Sequence, residues 1–255
     1  MRYRLPLALI ACVMVLNACR KKDDPITTTP ASKGVLKMEF SNVVGSRAMN
    51  LNTSWYTNAA GDSFQISTYN YYISNIVLST QDGKTFTEPE SYHLIEQSNP
   101  ATWSFKINDV PAGDYTSVQF MIGVDSLHNS SGAQSGDLSP SRGMIWSWNT
   151  GYIMAKMEGR SPKSPNAGNN FYFHIAGYKD GVSVLKTVKL AFPTSATVTV
   201  GGPVRGVHFF SDAAQWFTSP QQIDLATMNN VQVTGRDAQV ISDNYADMFT
   251  IDHID

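Results

Sequence analysis

FQISTYNYYISNIVLS, residues 64–79, is the stretch that decides the fold, because β-branched and aromatic residues form its majority. These residue types pack well on a pleated, half-buried surface and favour strands. Asp82-Gly83 follows directly, and Asp-Gly after such a run is a strong signal for a tight hairpin turn. The stretch therefore predicts a long strand that enters a hairpin.

Strand-like patterns continue on both sides of this segment, whereas helical patterns are few. Asp180-Gly181 predicts a second hairpin, and helical periodicity is limited to residues 220–228 and 242–249. The other predicted strands are Val35–Phe40, Tyr115–Val124, Met144–Met157, Asn170–Ala176, Val182–Phe192, Thr197–Val200 and Val204–Phe210. Many short strands and few helices predict an all-β protein, a single antiparallel β-sandwich domain with one or two short helices near the C-terminus.

The N-terminus has the pattern of an export signal. Arg2 and Arg4 precede an apolar run, Leu5–Leu16, that is too short to span a bilayer. The sequence Leu16-Asn17-Ala18-Cys19 then resembles the lipobox of bacterial lipoproteins. We therefore expect residues 1–18 to be a lipoprotein signal peptide and Cys19 to carry the lipid.

The segment behind Cys19 is rich in charged residues, threonine and proline, which predicts a flexible tether over residues 19–33. The domain is then expected over residues 34–255. The cluster Arg20-Lys21-Lys22-Asp23-Asp24 resembles the surface-export signal of Bacteroidetes lipoproteins. An outer-membrane lipoprotein, facing the periplasm or the cell surface, is the predicted location.

Composition and cysteine count exclude nucleic-acid binding and cysteine-based sites. The formal net charge is −2 and charged residues make up 16% of the chain, without a basic patch, which argues against nucleic-acid binding. The chain has two cysteines. Cys12 lies in the predicted signal peptide, so the mature chain keeps Cys19 alone. An internal disulfide and a cysteine-based metal site are thereby excluded.

Two of the five tryptophans lie one residue apart in GMIWSWNTGY, residues 143–152. On a strand, side chains alternate between faces, so Met144, Trp146 and Trp148 are expected to share one side. Core packing is the simplest interpretation of that pattern.

The ordered motifs of the chain resemble those of the MbnP-like copper-binding domain family, secreted proteins of Gram-negative bacteria. The resemblance covers about residues 35–253. It rests on segments 71–76, 92–95, 111–115, 123–152, 173–175 and 244–253, and within these on the motif residues Asp125, Asn129, Gly143, Met144, Gly151 and Tyr152.

The resemblance implies an extracytoplasmic protein that binds copper and does not act as an enzyme. It further implies a partner enzyme of the di-haem cytochrome-c-peroxidase type, which oxidises a tryptophan to kynurenine, a copper ligand. Imidazole and thioether groups suit copper. The implied metal ligands are His174 and His253, with His93 as a further candidate that could instead pack or hydrogen-bond on its strand. The tryptophan to be modified is Trp146 or Trp148, with Trp103 as an alternative. His128 does not align with the family histidine, which falls at Ser130, and His208 has no family counterpart.

From the residues alone, other interpretations stay open. Asp125 and Asn129 could bind a hard cation such as calcium, or could stabilise their loop through side-chain-to-backbone hydrogen bonds. A cell-surface module without metal, with Trp55, Trp103 and Trp216 contacting glycan or protein, is the alternative function. A third hypothesis is a scaffold in which the family site has decayed.

Overall fold

The structure, a computed structural model, describes residues 32–132, 134–146 and 151–255. In these residues fourteen strands are, in chain order, β1 (Lys33–Val44), β2 (Arg47–Ala48), β3 (Tyr56–Thr57), β4 (Ser63–Thr80), β5 (Thr85–Thr87), β6 (Tyr92–Glu96), β7 (Ser104–Pro111), β8 (Gly113–Ile122), β9 (Ile153–Arg160), β10 (Asn170–Ala176), β11 (Lys186–Val198), β12 (Arg205–Asp212), β13 (Asn230–Val231) and β14 (Phe249–Ile254). The α-helices are α1 (Ser126–Ser130) and α2 (Arg236–Tyr245). Short 3-10 helices lie at Pro100–Thr102, Gly136–Leu138, Pro140–Arg142, Ala167–Asn169 and Ala213–Phe217.

Strand β4 contains the opening stretch and organises the larger, nine-stranded sheet. The order along this sheet is β11-β8-β4-β9-β10-β13, and β3, β5 and β6 also pair with β4. The predicted hairpin at Asp82-Gly83 is confirmed, because β4 and β5 pair antiparallel across it. Residues 71–74 are all buried, so β4 is covered on both faces there. That explains a run of apolar residues without strict alternation.

The smaller sheet has the order β14-β12-β1-β2, with β7 also paired to β1. The two sheets pack face to face through aromatic side chains. The ring centroids of Phe40 on β1 and Tyr71 on β4 lie 6.3 Å apart, and those of Phe249 on β14 and Phe120 on β8 lie 5.1 Å apart. The prediction of an all-β sandwich with a short helix near the C-terminus is confirmed.

Strand direction is more varied than the sequence indicated. Most pairs are antiparallel, but β1 with β12 and β10 with β13 run parallel. Parallel pairs need long connections, and both of these join segments far apart in the chain. Turn signals in a sequence indicate only the pairing of consecutive strands, so they could not reveal these parallel pairs.

Three local predictions were wrong. The expected strand Met144–Met157 begins only at Ile153, because the chain before it bends into a loop closed by an isolated bridge between Ile145 and Tyr152. The strands flanking Asp180-Gly181 do not form a hairpin, since β10 pairs with β9 and β11 pairs with β8. Residues 220–228 form turns, and the C-terminal helix is α2. None of the helices among the described residues is long and apolar enough to cross a membrane.

Candidate metal centre

The motif residues Asn129, Gly151 and Tyr152 hold the far end of the tryptophan-bearing loop. We call residues 143–152 the tryptophan loop. The side-chain Oδ1 of Asn129 accepts a hydrogen bond from the backbone N–H of Tyr152 at 2.7 Å, and the phenol of Tyr152 donates to the carbonyl of Leu138 at 2.7 Å. Gly151 has φ +111°, and a Cβ there would lie 3.0 Å from Asn129 Oδ1. Glycine is therefore required by both conformation and space.

Gly143 and Met144 fix the near end of the same loop. Gly143 has φ +69° and ends the 3-10 helix Pro140–Arg142. The carbonyl of Met144 accepts from the N–H of Ile153 at 2.8 Å, and Met144 is 1% exposed. Trp146 is 5% exposed within the core cluster. Ser147, Trp148, Asn149 and Thr150 lie outside the described residues, so the predicted shared face of Met144, Trp146 and Trp148 is not tested.

Asp125 anchors the helix from which Asn129 projects. Its Oδ1 accepts from the backbone N–H of His128 at 3.0 Å and caps α1. Its Oδ2 accepts from Asn75 at 3.1 Å and from the Tyr92 hydroxyl at 2.5 Å. Burial raises the pKa of Asp125, but these hydrogen bonds outweigh it and the net pKa is lowered.

Asn129 also donates through Nδ2 to the carbonyls of Val124 and Asp125. Protein partners thus occupy both carboxylate oxygens of Asp125 and the amide oxygen of Asn129. Of the two interpretations of this pair, the geometry favours loop stabilisation over a hard-cation site.

His174 lies on the outer face of the larger sheet, in a row that reaches towards the tryptophan loop. In the register of β4, β9 and β10, Asn70 faces Lys156 and Lys156 faces His174. Asn70 Nδ2 is 4.0 Å from the sulfur of Met144. Met144 therefore contacts the β4 end of this row, two strands away from His174.

The two ring nitrogens of His174 have different surroundings. Nε2 lies 2.6 Å from Oε1 of Glu158, whereas Nδ1 is buried and has no hydrogen-bond partner in the described part of the chain. The hydrogen bond with His174 is the main cause that lowers the pKa of Glu158 to about 2, against the opposing effect of burial. Glu158 is therefore a carboxylate near neutral pH and can only accept, so Nε2 carries the proton. In the neutral ring Nδ1 is then left with a free lone pair.

Within the described residues, His174 does not contact His253 or His93, so the expected convergence is not found. His93 stacks on Phe105 at 3.6 Å between centroids, and its Nε2 is 2.9 Å from Glu88. His253 stacks instead on His208, with centroids 4.1 Å apart, because the two are directly paired across β14 and β12. Within residues 32–132, 134–146 and 151–255, no group of three or more His, Cys, Asp or Glu side chains is arranged to hold a metal ion.

One histidine, His174, nevertheless has surroundings that fit a copper ligand. A metal-bound histidine usually donates its second ring N–H to a carboxylate, which orients the ring and raises its basicity, and the Glu158–His174 pair has this form. Glu158 gave no sequence signal beyond being an isolated acid. It could have been placed only from the antiparallel register of β9 and β10, in which Glu158 faces Tyr172, two residues from His174.

Comparisons with known proteins concern the family and the fold. A family model described as MbnP matches residues 33–234. A solved structure, MbnP from Methylosinus trichosporium, superimposes with a TM-score of 0.56 at 12% sequence identity, covering 86% of this chain and 98% of that chain. At that identity the likeness concerns the fold alone. A search of curated proteins gave no match.

Proposed function

The chain belongs to the MbnP family, and from that premise we propose that it binds copper outside the cytoplasm and carries it. The observation that carries the proposal is His174. Its Nδ1 is buried without a partner among the described residues, while Nε2 lies 2.6 Å from Glu158. An unpaired polar atom inside a protein is costly, and the lone pair that the neutral ring carries on this nitrogen is available to a metal ion.

His174 would hold copper through Nδ1, and Glu158 would fix the ring in the tautomer that leaves that nitrogen free. Met144, whose sulfur lies 4.0 Å from Asn70 at the β4 end of the same row, offers a thioether, a soft donor suited to Cu(I). His253 and His93, which the sequence also predicted as ligands, have other partners in the fold. The proposal therefore assigns neither to this centre.

The tryptophan loop supplies the remaining ligand in this proposal. The family resemblance implies a tryptophan oxidised to kynurenine, whose aniline nitrogen and ketone are better donors than an indole. We assign this modification to Trp146 or Trp148, preferring Trp146. The motif residues Asn129, Gly143, Gly151 and Tyr152 hold both ends of the loop, which would keep the modified side chain at a constant distance from the sheet.

A carrier role is proposed in preference to catalysis. The polar atoms of Asp125, Asn129 and Tyr152 are engaged in holding backbone groups, which leaves them unsuited to proton transfer. The proposed partner is a di-haem enzyme of the cytochrome-c-peroxidase type, supported by the family resemblance alone. Incubating the purified chain with such an enzyme and peroxide, the oxidant, should convert one tryptophan to kynurenine. This conversion adds one oxygen atom and releases one carbon atom as formate, and peptide mass spectrometry detects the small net gain in mass. Absence of the added mass would contradict the partnership.

We also propose anchoring to the outer membrane through a lipid on Cys19, which lies outside the described residues. The lipobox-like Leu16–Cys19 sequence supports this. Cys19→Ala should release the protein into a soluble fraction or block its maturation. Unchanged membrane fractionation of the variant would reject the anchor.

The direct test of function is metal analysis of protein purified from its own host. The expected result is copper bound in a fixed ratio to protein, together with an oxidised tryptophan in the intact mass. Protein that carries no copper, and that takes up none from Cu(I) or Cu(II) at micromolar concentration, would overturn the proposal.

A further inference from the structure

Trp55 differs from the other described tryptophans in its exposure to solvent. It is 43% exposed, whereas Trp146 is 5% and Trp216 is 0% exposed. Trp103 is partly buried, and its indole N–H donates to the carbonyl of Glu96 at 3.0 Å. Of the three tryptophans named as surface contacts in the alternative function, Trp55 alone presents a large free surface to a ligand.

A cavity of about 250 Å³ lies on the outer face of the larger sheet and is lined by Arg160, whose guanidinium lies over the ring of Trp55. Gln65, Arg160 and Asn170 form one row of this face across β4, β9 and β10. The cavity lining is dominated by amides and hydroxyls: Asn52, Gln65, Ser67, Gly159, Arg160 and Asn170. Such groups hydrogen-bond a polar ligand and give little affinity for an apolar one.

Arg160 connects the cavity to the indole. Its guanidinium carbon lies 5.4 Å from the ring centroid of Trp55, and its Nε donates to Oε1 of Gln65 at 2.9 Å. Arg47 donates to the backbone carbonyl of Trp55 at 2.9 Å. Within the described part of the chain, neither arginine forms an ion pair with a carboxylate. Two uncompensated positive charges therefore flank Trp55.

We propose that this cavity binds an acidic sugar, a pyranose that carries a carboxylate. The aromatic face of Trp55 is suited to the apolar C–H face of a sugar ring. The amides of Asn52, Gln65 and Asn170 match hydroxyl groups, which both donate and accept hydrogen bonds. The free edge of the Arg160 guanidinium matches a carboxylate, and such charge-assisted pairs are among the stronger hydrogen bonds.

The sugar site is separate from the proposed copper centre. Arg160 lies four residues along β9 from Lys156, which faces His174, and four residues of strand span about 13 Å. A sugar in the cavity would therefore not reach His174. The two proposals can fail independently.

Titrations followed by protein NMR or calorimetry test the proposal, with glucuronate as the probe and glucose, acetate and inorganic phosphate as comparisons. Glucuronate should bind most tightly. Trp55→Ala and Arg160→Lys should each weaken it at least tenfold, since the first removes the stacking surface and the second removes the planar fork. Val233→Ala, which alters another exposed apolar residue, should leave binding unchanged.

Three results would overturn the proposal. They are no binding of glucuronate, equal binding of acetate and phosphate, and binding that persists in Trp55→Ala. Thermal unfolding of each variant establishes that it is folded. Copper content measured on the same samples should stay at the wild-type value, so loss of copper binding and loss of sugar binding are distinguishable.

Discussion

His174 and the pair His208–His253 lie on different sheets and differ in what holds their rings, although Nε2 of His208, like Nδ1 of His174, is buried without a hydrogen-bond partner among the described residues. His174 is 8% exposed on the larger sheet, with one nitrogen held by Glu158 and the other free. His208 and His253 stack on the outer side of the smaller sheet with an angle of 10° between ring planes. His208 lies within 3.5 Å of Glu39 and of Asp255, and His253 lies 2.9 Å from Asp252.

The difference shows that closeness of two histidines is a poor guide to a metal centre. A ring nitrogen binds metal through a lone pair in the plane of the ring, at about 2 Å. Two nearly parallel stacked rings direct their lone pairs side by side and cannot share one ion without turning. A single buried histidine with an orienting carboxylate is better prepared, since its ring and tautomer are already set.

The largest effect is expected where the tryptophan loop is attached to α1, because the buried side chain of Asn129 makes three hydrogen bonds there. Asn129→Ala removes one acceptor and two donors from a residue that is 5% exposed. It should lower the free energy of unfolding by about 3 kcal/mol. Urea denaturation checks this, with Ser130→Ala as the exposed neighbour expected to change it by less than about 0.5 kcal/mol. Equal effects of the two variants would show that the attachment is unimportant.

Two glycine variants test which end of the tryptophan loop is held more firmly. Gly151→Ala places a Cβ 3.0 Å from Asn129 Oδ1 and 3.1 Å from Tyr178 at φ +111°, whereas Gly143→Ala meets nothing within 4 Å at φ +69°. Strain alone costs Gly143→Ala about 1 kcal/mol, and strain with crowding costs Gly151→Ala about 2.5 kcal/mol. Thermal or urea unfolding compares them. A larger loss for Gly143→Ala would mean that the loop is held at its near end instead.

Glu158 should make stability depend on pH in a defined window. Its folded pKa is about 2, below its ordinary value of 4.5, so its contribution is present above pH 4.5 and is lost as pH falls towards 2. Glu158→Gln should cost about 2 kcal/mol at pH 6. The difference in the free energy of unfolding between Glu158→Gln and wild type should become smaller as the pH is lowered. Unfolding free energies at pH 6, 4 and 3 test this, and a gap that is constant with pH would contradict the carboxylate's role.

The smallest effect is expected on the other side of the comparison. The His253 side chain is 54% exposed near the chain terminus, so His253→Ala should change the free energy of unfolding by less than about 0.5 kcal/mol. Urea unfolding at neutral pH measures it. A loss above about 1 kcal/mol would show that the stacked pair is a structural element of the sandwich.

The sequence predicted the fold better than the site, and particular residues show why. The β-branched and aromatic residues of β4, with the Asp-Gly turn that follows them, are a local signal in the chain, and they led to the observed strand and hairpin. The pairing of His253 with His208 depends on the register between β12 and β14, about 45 residues apart in sequence, and no local pattern encodes it. Glu158 was similarly hidden, because its contact with His174 arises only when β9 and β10 pair.

Copper content of matched histidine variants tests the central claim most directly. Wild type, His174→Ala and His253→Ala would be purified from the native host and analysed for copper by mass spectrometry, with circular dichroism to establish folding. The copper content of His174→Ala should be at least tenfold lower than that of wild type, while His253→Ala should keep the wild-type ratio of copper to protein. Full copper in His174→Ala, or its loss in His253→Ala, would contradict the assignment of the metal centre to the buried histidine.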